Sequence, residues 1–91
     1  MKLTPKDREL LLSWGHDEKD LQQIEEATHS AKTSYELDGA PIKRDEAIRL
    51  LGRETYLSGL SRSAFHATAA RWTDDGREVY FDSSRLLRGG D

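Results

Sequence analysis

The chain has no cysteine, only two prolines and no long apolar run, and each absence removes a class of answer. Without cysteine there is neither a disulfide nor a thiolate zinc centre, which fits a reducing compartment. The opening MKLTPKDRELLLSW lacks the apolar stretch of a secretion signal or membrane span, so a cytoplasmic protein without membrane association is expected. Three histidines (His16, His29 and His66) stand far apart without ligand spacing, so no metal site is expected. No glycine-rich loop precedes a helix to cradle phosphate, and no serine sits in a nucleophile elbow. Glu25 and Glu26 point to different helix faces, and Asp74 and Asp75 occupy a turn, where a carboxylate pKa is hard to shift. A non-enzymatic protein with no cofactor is therefore expected.

Arginine is nearly missing from the first half. Residues 1–42 hold Arg8 alone, with four lysines against nine acids, whereas eight of the nine basic residues in 43–91 are arginine, against eight acids. A planar guanidinium fork suits phosphate and carboxylate better than the point charge of lysine. An anionic partner thus belongs on the second half, although the net charge of −3 opposes a simple nucleic-acid binder. Apolar residues make up 35% of the chain, enough to exclude disorder throughout. At 91 residues it forms one domain, 1–91, with a modest core.

The pattern predicts an α+β fold. Thr4-Pro5-Lys6-Asp7 is a capped helix start, followed by Leu10, Leu11 and Trp14 and closed by Gly15. Asp17 is the N-cap of a second helix carrying Leu21, Ile24, Ala27, Thr28 and Ala31 inward. The two are expected to form a helical hairpin over residues 1–32. Residues 33–42 read as a short strand or tight connector, with a turn at Asp38-Gly39 and Pro41 limiting any strand to an edge. Asp45 to Gly52 is a compact helix. Glu54 to Leu60 adds a helical turn or two ending near Gly59, and Ser61 caps a further helix through Ala67. A hairpin follows from Arg71 through Asp74-Asp75-Gly76 to Phe81, with Val79 and Phe81 on one face and Tyr80 on the other. Asp82-Ser83-Ser84 caps a last turn with Leu86 and Leu87, before a frayed Arg88–Asp91 tail. Trp14, Phe65, Trp72 and Phe81 are expected in the core.

Helix, turn, helix, hairpin is the order of a winged helix-turn-helix. The wording EAIRLLG, then SRSAFH, then a glycine-turned hairpin ending VYFDSSRLL, resembles the small winged domains of MerR and phage-excisionase type over about residues 43–88. In those domains the recognition helix follows the glycine almost directly, whereas seven residues, 53–59, intervene here. The whole chain also resembles short proteins carried by mobile elements of Firmicutes, a likeness that brings no activity with it. The first resemblance implies a small regulator of transcription that binds double-stranded DNA.

On that reading Arg62 and His66, one turn apart, face the bases, with Phe65 anchoring the helix from behind. Ser61 and Ser63 bond phosphate or the helix end, and Arg53, Arg71 and Arg77 hold the backbone. Plainer readings stand beside it. Ser61-Arg62-Ser63 also reads as a cap with a solvated arginine, and Arg77 as a surface ion pair with Asp74 or Asp75. The rival function is a protein-interaction module or inhibitor of host machinery, binding a host protein through Asp17, Glu18, Asp20, Glu25 and Glu26. A homodimer spacing two DNA-reading halves is a third arrangement, favoured if Leu11, Leu12 or Trp14 stays exposed.

Overall fold

The computed structural model describes residues 3–29 and 32–88; Ala31 and the tail at Gly89–Asp91 lie outside the described residues. The fold is α+β. Helices α1 (Pro5–Ser13) and α2 (Glu18–His29) precede a hairpin of β1 (Ser34–Leu37) and β2 (Ala40–Ile42). Helices α3 (Arg44–Leu51) and α4 (Arg53–His66) follow, then a second hairpin of β3 (Thr68–Trp72) and β4 (Glu78–Asp82), and the single turn α5 (Ser84–Leu87).

Local chemistry accounts for most boundaries. At the start of α1, the Asp7 amide donates to Thr4 Oγ1 (3.1 Å) and the Thr4 amide to Asp7 Oδ2 (3.0 Å), a reciprocal capping box with Pro5 in the first turn. Asp17 and Asp20 exchange the same kind of bonds ahead of α2: the Asp20 amide donates to Asp17 Oδ1 (2.9 Å) and the Asp17 amide to Asp20 Oδ2 (3.3 Å). Asp38 and Gly39 both take positive φ, the requirement of a two-residue hairpin turn whose twist matches its strands.

All strand pairs are antiparallel in the order β2-β1-β4-β3, so the first hairpin is joined edge-on to the second through β1 and β4. Pro41 sits on edge strand β2, where its missing N–H breaks no interior ladder. Helices α3 and α4 pack on one face of the sheet. There Tyr35, Val79 and Phe81 meet Tyr56, Leu57, Leu60 and Ala64 of α4, with Leu21, Ile24 and Ala27 of α2 completing the core. The core contains a polar seam. Tyr35 and Tyr56 share a hydroxyl hydrogen bond of 2.8 Å, Thr28 Oγ1 lies 3.3 Å from the Tyr56 hydroxyl, and Ser83 Oγ bonds Ser63 (2.8 Å) and Thr33 (2.5 Å). Among the described residues, no helix is long and apolar enough to cross a membrane.

Three sequence expectations are corrected. Residues 53–66 form one continuous helix, so α4 neither ends near Gly59 nor restarts at Ser61. The serines that suggested a cap bond back along the helix instead: Ser58, Ser61 and Ser63 donate to the carbonyls of Thr55, Ser58 and Leu60. The helix also stops at His66 rather than running through Ala67, which turns to φ 75° and lets β3 begin at Thr68. Finally, the expected core aromatics divide. Phe81 is fully buried and Phe65 half-buried, but Trp14 is 39% and Trp72 59% exposed. Trp14 lies just past the last turn of α1, and Trp72 alternates with the buried Ala69, on the opposite face of β3. Next to Trp14, Leu11 is buried while Leu12 stays exposed.

Candidate functional site

Because α4 is the central helix, most of its circumference is inside. Only Glu54, Arg62 and His66 are exposed along its length, while Ser58, Ser61 and Phe65 border the same strip. Positions 58, 61, 62, 65 and 66 follow the three- and four-residue spacing of one helix face, which places them in a line. That line forms one wall of an open cleft of about 400 Å³, closed on its other sides by His16 and Asp20 and by Arg71 of β3.

Each wall is fixed by identifiable bonds. The His16 ring stacks on Phe65 with centroids 6.1 Å apart and planes inclined by 13°, and its Nδ1 lies 3.1 Å from Asp20 Oδ2. Gln23 of α2 donates to the Ala64 carbonyl at 2.7 Å, holding the end of α4 against α2. Arg71 is half-buried. Its Nε donates to Ser58 Oγ (2.8 Å), one terminal nitrogen to the Ala70 carbonyl (2.7 Å) and the other to the Ser58 carbonyl (3.3 Å). Three of the five guanidinium N–H groups are thereby used, leaving two donors on a side chain that can no longer swing. Arg62 and His66 have no hydrogen-bond or ion-pair partner among the described residues. With the two guanidinium groups of Arg62 and Arg71 against the one carboxylate of Asp20, and with imidazole N–H groups beside them, the cleft presents donor-rich chemistry.

Of the residues singled out from the sequence, Ser61, Arg62, His66 and Arg71 come together here; Arg53, Ser63 and Arg77 do not. Arg53 forks onto Asp7 of α1, Nε to Oδ1 at 3.0 Å and a terminal nitrogen to Oδ2 at 2.6 Å. Burial raises the Asp7 pKa, but the hydrogen bond from Arg53, the Thr4 amide and the guanidinium charge outweigh it, and the net shift is downward. Ser63 is fully buried and bonded to Leu60 and Ser83, beyond reach of any external partner. Arg77 pairs with Asp75 across the turn (Nε to Oδ2 3.1 Å), the plainer of its two readings.

The acidic residues offered for protein interaction are each engaged locally. Glu18 pairs with Arg8 at 2.5 Å and Glu26 with Lys32 at 3.2 Å. Glu25 accepts from the Leu3 amide, and Asp17 and Asp20 serve the start of α2.

Sequence reasoning missed His16, Ser58 and Phe65 as parts of one site, and saw Asp20 only in another role. The α4 stripe is a visible signal once residues 53–66 are read as one helix; the contribution of His16 depends on how α2 docks. No group of three or more His, Asp or Glu side chains suited to holding a metal ion is gathered among the described residues. Neither protein-family models, nor curated proteins, nor solved structures match this chain.

Proposed function

We propose that the protein is a small, non-enzymatic, cytoplasmic DNA-binding regulator that holds double-stranded DNA by its phosphate backbone at this cleft. One juxtaposition supports the reading: Arg62 and His66 stand free, one helical turn apart, at the mouth of a cleft whose wall includes the immobilised fork of Arg71. Arg49, Arg53 and Arg77, by contrast, are held in ion pairs. Phosphate oxygens accept from guanidinium and imidazole N–H donors, and a pre-fixed arginine loses little rotamer entropy on binding.

The mode of contact differs from that of an inserted recognition helix. A helix with three exposed residues cannot enter a major groove, so Arg62, His66 and Arg71 reach backbone oxygens from the surface. The net charge of −3 disfavours a polyanion over the molecule as a whole, so docking depends on the local donors of this cleft.

The test is an NMR titration of labelled protein with a random-sequence duplex at about 50 mM and then about 200 mM salt. The reading expects shifts on residues 58–66 and at Arg71 that fade as salt rises. Arg62→Ala is expected to reduce the salt slope by about one unit without changing the thermal midpoint. Undisturbed spectra at the lower salt would refute it, because phosphate binding of any kind appears there first.

A further inference from the structure

The face of the sheet away from α3 and α4 presents a second surface, opposite in chemistry to the cleft. Strand alternation assigns its residues. Val79 and Phe81 are buried beneath the helices, so Glu78, Tyr80 and Asp82 of β4 face the other way. The same parity puts Ser34 and Glu36 of β1, Pro41 of β2, and Thr68, Ala70 and Trp72 of β3 on that side. Every one of these residues is exposed or half-buried. Trp72, standing on this uncovered face, is the most exposed large apolar side chain among the described residues.

Register supplies the detail. Glu36 is directly opposite Tyr80, and Glu78 directly opposite Trp72, so each aromatic ring has a carboxylate as its cross-strand neighbour. Ala70 faces Tyr80 from the other side and adds only a methyl group. None of the nine residues on this face is basic, and neither Glu36 nor Glu78 has an ion-pair partner among the described residues. The two aromatic–carboxylate pairs are separated by the two-residue step from Glu78 to Tyr80, about 7 Å along the strand.

We infer that this face is a docking surface for an extended segment of a partner protein carrying lysine or arginine at alternate positions. Alternate side chains of an extended segment are also about 7 Å apart, so two successive cations meet both pairs at once. Each cation finds an aromatic ring for cation–π attraction and a carboxylate for charge pairing, with Trp72 the stronger ring. Nucleic acid is excluded as occupant by the three carboxylates of Glu36, Glu78 and Asp82, which repel phosphate. The inference is independent of the cleft, which lies on the helical side of the sheet.

The experiment uses the full chain and a synthetic peptide alternating arginine with alanine, read by fluorescence anisotropy and by the indole N–H resonances of the two tryptophans. The expected result is a shift of the Trp72 indole but not of Trp14, with binding weakened about tenfold by Trp72→Ala. A comparable loss is expected from the pair Glu36→Gln with Glu78→Gln, while an alternating glutamate peptide does not bind. All three positions are solvent-facing, so circular dichroism of the variants should match the parent. The inference is overturned if the arginine peptide leaves the Trp72 indole in place, or binds the variants as well as the parent. It is equally overturned if the Trp72 resonance moves with protein concentration alone, which would make a second copy the occupant.

Discussion

Gly59→Ala isolates how closely α4 lies on the sheet. Gly59 has ordinary helical φ, absent from the positive-φ positions, so the backbone accepts alanine without strain. On propensity alone the change should stabilise the helix by about 1 kcal/mol. The added Cβ, however, would sit 2.5, 2.6 and 3.0 Å from three ring carbons of Phe81. That ring cannot simply retreat: it is fully buried and packs against Tyr35 at 5.5 Å and Tyr56 at 5.9 Å. Overpacking a closed core costs about 1–3 kcal/mol, and clashes this close belong at or above the upper end. The expected net is a loss of about 1–2 kcal/mol, or roughly 5–15 °C in thermal midpoint for a domain of this size.

The assay is urea and thermal unfolding followed by circular dichroism, run as a cycle with Phe81→Leu. Replacing the ring removes the obstacle, so alanine at position 59 should cost much less in the Phe81→Leu background, with a coupling above about 0.5 kcal/mol. A Gly59→Ala protein as stable as its parent or more so, with no coupling to position 81, would refute the packing of α4 on Phe81.

Further outcomes follow from the ionisable groups and the buried hydroxyls. Asp7 has a carboxyl pKa below its ordinary value, so its contribution is present above the unfolded-state pKa and is lost as pH falls through the lower folded one. Asp7→Asn should therefore cost about 1–2 kcal/mol at neutral pH and flatten the stability curve below about pH 4, as measured by urea unfolding across pH. Burial pushes Tyr35 and Tyr56 upward, so both should resist ionisation in the folded state and the fold should weaken as pH rises above 10, the ordinary phenol value. Tyr56→Phe leaves the Tyr35 hydroxyl and Thr28 without their shared partner and should cost about 1–3 kcal/mol in the same unfolding assay.

The elements legible in the sequence are those whose signals are local. Thr4 to Asp7, Asp17, Asp38-Gly39 and Gly52 each mark a boundary through a bond or dihedral made within a few residues, and each boundary falls where its signal puts it. The alternation of Val79, Tyr80 and Phe81 likewise assigned the two faces of β4. Residues 53–66 misled because Ser58-Gly59 and Ser61-Arg62-Ser63 carry the composition of a turn and a cap. Their small size meets a tertiary demand: Gly59 admits the ring of Phe81, and Ser63 fits fully buried against Ser83. Serine tolerates the helix interior because its hydroxyl is satisfied by a carbonyl three residues back.

The cleft was half legible for the same reason. Arg62 and His66 share a face in any helix that contains both, so a misplaced helix start still brought them together. Arg71 is different. Read as a strand residue flanking a wing, its direction was open, and only the pairing of Arg71 with the buried Val79 turns it toward α4 and Ser58 rather than toward the free face beside Trp72. One residue of register decides this, since a single-step slip of β3 would send Arg71 to the acidic face and Trp72 into the cleft. The separation of an arginine-lined cleft from an aromatic, acidic sheet face thus rests on the β3–β4 register, in which the buried Ala69 lies directly opposite the buried Phe81.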